Sequence, residues 1–193
     1  MKKAILPLVI LICMMLSACQ LVYRSLDTGS YSQSRAEREF PQLLTENRAQ
    51  VSPSGTFLME YEKRDTETRR EYTFVVYSND AAHEKIYESD RVLLPYFTCF
   101  VMWDEILDRV WMYDGDSGLY FAQQDENGSW QRFAQWGYEG EVFWRKEAAG
   151  EDQGVWFDAE EMKEQRANAY PHEVKVPELL VKLRPHLENK EAE

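Results

Sequence analysis

Apolar and polar positions alternate in two stretches of the chain. Phe57, Met59 and Tyr61 interleave with Leu58, Glu60 and Glu62, and Tyr72, Phe74 and Val76 interleave with Thr73, Val75 and Tyr77. A period of two predicts strands, because successive strand side chains point to opposite faces. The charged run 63–71 between them predicts a hairpin loop or the frayed strand ends around it. Further strands are predicted over 92–103, 109–114, 119–123, 129–134 and 141–145, punctuated by turn signals at Gly115, Gly118, Asn127-Gly128 and Gly140. The expected fold class is mainly β: an antiparallel meander of propeller-like or open sheets, with short helices at the N-terminal edge and the C-terminus.

The helical expectations rest on caps. Ser34 with Glu37 three residues on predicts a helix over 35–48, which Pro41 makes irregular. Asp158 answered by Glu161 predicts a helix through about residue 168. Pro177 suits the first turn of another helix reaching about residue 187, with Leu180, Leu183 and Leu187 on one face and Pro185 bending its end. Residues 188–193 read as a solvated tail. All six tryptophans, at 103, 111, 130, 136, 144 and 156, fall in the second half, where rings at strand spacing predict core packing; the alternative is an aromatic face for sugar or peptide.

The first twenty residues have a different pattern. Lys2 and Lys3 precede an apolar run from Ala4 to Leu16, about thirteen residues interrupted by Pro7, which is short for a membrane span and suits a secretory signal. The run closes in Leu16-Ser17-Ala18-Cys19, which resembles the lipobox of bacterial lipoproteins. That resemblance implies cleavage before Cys19, lipid on its thiol, and retention at an envelope membrane. Gln20 in place of an aspartate favours the outer membrane. Residues 1–18 are therefore expected to be a signal peptide, 19–34, with its four serines and Gly29, a lipidated tether, and 35–193 one β-rich domain with a helical C-terminal segment.

The precursor has 22 basic and 34 acidic residues; losing Lys2 and Lys3 leaves 20 against 34, a mature charge of −14. Such a field disfavours nucleic acid and steers cationic partners inward. Once Cys13 leaves with the signal and Cys19 carries lipid, Cys99 stands alone in an apolar run and reads as buried filler.

Candidate chemistry is sparse. Gly115-Asp116-Ser117-Gly118 resembles the segment around the nucleophile of chymotrypsin-like serine proteases, and Ala81-Ala82-His83 resembles their histidine segment, yet only 34 positions separate His83 from Ser117, too few for two barrels. Asp116-x-Gly118-x-x-Phe121 resembles part of the Asp-box hairpin of sialidases and other β-propellers, with Asp114 where Ser or Thr usually stands, and Ser52-Pro53-Ser54-Gly55 resembles a turn that opens propeller strands. Both imply structural roles. His83, His172 and His186 lack partners at ligand spacing, while Asp114, Asp116 and Asp125 are candidate Ca²⁺ oxygens without a complete loop. No catalytic, cofactor or metal residue is assigned; the one assigned site is Cys19.

The expected function is a non-catalytic binding or structural module of the envelope, anchored by its lipid and engaging an envelope protein, a basic one in the version where it inhibits or confers immunity to a cationic wall hydrolase. A second expectation is a glycan hydrolase using carboxylates near Asp114, Asp116 and Glu105. A third is an assembly component docking through a C-terminal segment, 171–193, that the domain does not need in order to fold.

Overall fold

The computed structural model describes residues 33–65, 70–90, 99–114, 118–148 and 157–183. The signal peptide, Cys19 and most of the expected tether lie outside them, as do residues 92–98, Asp116, Ser117, Trp156, His186 and Leu187. The described chain is mainly β, with two open antiparallel sheets and three short helices.

The first sheet orders its strands β1 (Gln50–Val51), β2 (Phe57–Asp65), β3 (Arg70–Ser78) and β4 (Lys85–Glu88). The second is a five-stranded meander of β5 (Cys99–Trp103), β6 (Arg109–Asp114), β7 (Gly118–Gln124), β8 (Trp130–Tyr138) and β9 (Glu141–Glu147). Neither sheet closes into a barrel, and the propeller-like alternative gives way to open sheets.

Side-chain alternation places the second sheet in the middle of three layers. Cys99, Val101, Trp103, Val110, Met112 and Tyr120 on one face pack with Phe57, Met59, Phe74 and Val76 of the first sheet. Phe100, Met102, Trp111, Leu119, Phe121, Phe133 and Trp144 on the other face pack with Ala36, Leu43, Leu179, Leu180 and Leu183. All five residues of β5 are buried, since both faces of that strand are covered. On the other face of the first sheet Glu60 and Glu62 are partly exposed, while Thr73 and Val75 opposite them are buried.

Helix α1 (Gln33–Glu39) is half the expected length. It ends after Phe40 donates to Ala36, because Pro41 cannot extend the ladder. The chain then divides Leu43 and Leu44 between the two cores, and Leu44 N–H bonds the Val101 carbonyl on the edge of β5. Helix α2 (Ala159–Ala167) has the expected capping box: Asp158 accepts from Glu160 and Glu161 N–H, and Glu161 answers Asp158 N–H. Helix α3 (Glu178–Leu183) follows Pro177 and buries Leu179, Leu180 and Leu183.

Three expectations about the strands change. The charged run 63–71 stays paired at both ends, from Lys63 opposite Tyr72 to Asp65 opposite Arg70. Strands β1 and β4 lack an alternating signal and form by pairing with longer neighbours. Strand β8 continues to Tyr138, and the next hairpin turns on Glu139-Gly140, both at positive φ.

Candidate functional site

The turn between β5 and β6 projects from one end of the middle sheet. Its sequence, Asp104-Glu105-Ile106-Leu107-Asp108, has no Gly, Pro or Asn, so its shape comes from side-chain bonds. Asp104 Oδ1 accepts the N–H groups of Ile106 and Leu107 at 3.0 and 3.2 Å, and Asp104 Oδ2 accepts Trp111 Nε1 at 2.8 Å. Asp108 is gripped from the other sheet, where Ser54 donates its N–H at 3.0 Å and its hydroxyl at 2.6 Å. The Ser52–Gly55 turn thus has a structural role: Gly55 adopts φ 78°, and Ser52 Oγ accepts Phe57 N–H.

Held at both ends, the turn presents its middle to solvent. Ile106 is 82% exposed and Leu107 49%, and Ile106 is the most exposed large apolar side chain among the described residues. Two clefts flank this knob and meet at Asp104 and Glu105. One, about 540 Å³, runs between the knob and the segment from Pro41 to Pro53; the other, about 520 Å³, lies between the knob and Glu173–Glu178. Glu105, Glu173 and Glu178 are exposed around the knob beside Asp104 and Asp108, with Lys175 and Arg48 as opposing surface charges. The result is a fixed apolar tip in an acidic collar.

Arg109 stands in the wall of the second cleft at the start of β6 and is 5% exposed. Its Nε donates to Gln123 Oε1 at 2.8 Å, and Tyr170 Oη lies 3.4 Å from one terminal nitrogen. Its guanidinium sits 4.4 Å from the Phe121 ring centre and 5.7 Å from those of Trp111 and Tyr170. Among the described residues no carboxylate comes within ion-pair distance of it. The other two buried arginines, in contrast, share an acid: Glu147 accepts from Arg132 Nε at 2.6 Å and from Arg145 at 3.3 Å, and Arg132 also pairs with Asp90.

The residues singled out from sequence are dispersed. Asp114 ends β6 and Glu105 lies in the turn before its first residue, so the strand itself, about 17 Å long at strand rise, stands between them, well beyond the roughly 5–9.5 Å of a glycosidase carboxylate pair. Asp116 lies outside the described residues. Asp125 has its carboxylate committed to the β7–β8 turn, where the N–H groups of Ser129 and Asn127 lower its pKa. His83 occupies the β3–β4 turn at φ 46° and stacks on Tyr77 at 4.3 Å. No three His, Cys, Asp or Glu side chains converge as a metal site among the described residues. Gly118 opens β7 at φ 92°, and Phe121 is wholly buried, so both act structurally. Trp103, Trp111 and Trp144 are buried, and Trp130 and Trp136 pack against the first core, so these rings form no open binding face. Cys99 is buried, and burial pushes its thiol well above the usual range, with Asp114 and Glu37 adding to the effect.

Neither the knob nor Arg109 was anticipated. The available signal was a turn built on Asp104 and Asp108 without Gly, Pro or Asn, carrying two aliphatic side chains between the acids. No protein-family model matches the chain, and the searches of curated proteins and of solved structures returned no match.

Proposed function

We propose that this protein is an envelope-anchored binding module, held on the outer membrane by lipid on Cys19, and that the β5–β6 knob is its contact surface for a basic envelope protein. The observation that carries this reading is Ile106, an aliphatic side chain held in the open by Asp104 and Asp108 and ringed by acids. Exposed apolar side chains on a rigid support bind at low ordering cost, and an acidic rim speeds encounter with a cation-rich partner.

The path of the chain supports the same reading. The described chain runs from α1 past Leu44, whose N–H bonds the Val101 carbonyl in the middle of β5. It reaches the knob end at Gln50, whose carbonyl accepts Trp103 Nε1 at 2.9 Å. The described chain thus reaches the knob only after α1.

A cationic wall hydrolase is the partner this surface suits, because a protruding tip fits a concave active site. Adding the protein to such an enzyme should suppress wall hydrolysis at low salt, and Ile106→Asp should restore the activity without unfolding the protein. Full hydrolysis in the presence of the wild type excludes the inhibitor version. Lipidation has its own test: Cys19→Ser should release the protein from membranes and end the incorporation of labelled palmitate.

A further inference from the structure

We infer that the cleft between the knob and residues 173–178 is a binding site for a monocarboxylate with an apolar body, and that Arg109 receives the carboxylate. This assignment does not rest on the protein partner above, although Ile106 and Leu107 belong to both surfaces.

Buried arginine is rare unless paired, because removing its charge from water is costly. Arg132 and Arg145 follow that rule through Glu147. Arg109, equally buried, has the neutral oxygens of Gln123 and Tyr170 and the faces of three aromatic rings. The rings offset part of the desolvation cost but use the guanidinium face. The planar edge is the part that recognises a carboxylate in a two-point fork; Nε and one terminal nitrogen are engaged at 2.8 and 3.4 Å, and the other terminal nitrogen bonds no acceptor among the described residues. Arg109 lines a cleft of about 520 Å³, within the size range of small-molecule sites.

The remaining walls define the ligand. Ile106, Leu107, Val176 and Pro177 supply apolar contact, and exposed Lys175 adds a second cation. Four carboxylates on the same cleft, Asp104, Glu105, Glu173 and Glu178, outnumber Arg109 and Lys175, a balance that opposes every anion and opposes phosphate and dicarboxylates more strongly than a single carboxylate seated on Arg109. A single carboxylate on an aliphatic body meets both requirements. Two sources have that chemistry: the C-terminal end of a peptide and a free aliphatic acid.

The test is calorimetric titration of the full mature protein with four probes: N-acetyl-leucyl-valine as the free acid, the same dipeptide as its C-terminal amide, hexanoate, and inorganic phosphate. The free acid should bind saturably, at least tenfold more tightly than the amide or phosphate. Hexanoate binding as well as the dipeptide acid would assign the site to free aliphatic acids; hexanoate binding much more weakly would assign it to peptide C-termini. Arg109→Lys, which keeps the charge and loses the fork, should weaken binding at least tenfold. If that variant does not fold, Lys175→Glu on the exposed rim should weaken it several-fold. Equal binding of acid and amide, absence of binding by both acids, or unchanged binding in a folded variant would overturn the assignment.

Discussion

At the scale of single residues, the middle sheet contains a charged network where the first sheet gives way to β8 and β9. Glu147 holds two arginines that are each less than a tenth exposed, so removing it leaves two buried cations with reduced compensation. Glu147→Ala should destabilise the fold by about 3–5 kcal/mol, measured by denaturant unfolding. Cys99 should resist thiol reagents in the native protein and react once it unfolds, since burial keeps it protonated. On the outer face of the first sheet the Tyr77 hydroxyl donates to Glu62 at 2.6 Å, and this bond raises the phenol from 10.0 to about 12. The folded value exceeds the unfolded one, so the contribution of this bond to stability is complete below pH 10 and is lost as pH rises toward 12. Tyr77→Phe should flatten that part of the stability profile, and ultraviolet titration should show one fewer late-ionising tyrosine.

At the scale of elements, local chemistry that declares itself over a few residues was legible in the sequence. The Asp158–Glu161 box started α2, alternation located β2 and β3, and glycine-bearing turns separated the later strands. Elements that depend on neighbours were not legible: β1 is two residues long and exists because Met59 and Leu58 stand opposite it. The same holds for the end of β8, where pairing with β9 carries the strand past Ala134 to a two-residue turn. That turn places Glu139 at φ 52°, a conformation that asparagine adopts more readily than glutamate. Glu139→Asn should raise stability by about 0.5–1 kcal/mol, visible as a higher Tm, with the binding surface unchanged.

The C-terminal segment also needed its neighbours to be understood. Pro177 and the leucine spacing predicted α3, but the sequence did not show that Leu179, Leu180 and Leu183 complete the second core. The expectation that residues 171–193 are dispensable for folding is therefore corrected: deletion would strip Val174, Val176 and three leucines from the face of Phe100 and Trp111. A partner that docks on the intact C-terminus meets the exposed face of α3 and not its leucines.

At the scale of the whole molecule, the excess of 34 acidic over 22 basic residues and the lipobox-like segment ending at Cys19 are visible in the sequence, whereas the proposed contact surface is not. A surface of this kind depends on Ser54 reaching Asp108 across 54 positions and on residues 173–178 closing one side of a cleft, neither of which leaves a local pattern. Engagement of a basic envelope protein by Ile106 and its acidic collar is the function proposed for this surface. It is tested most directly by affinity capture from envelope extract on the mature protein, wild type beside Ile106→Asp, at low and at high salt. A stoichiometric basic protein should be retained on the wild type at low salt, lost at high salt and lost from the variant. Recovery of the same proteins on both columns, or of none on either, would contradict it.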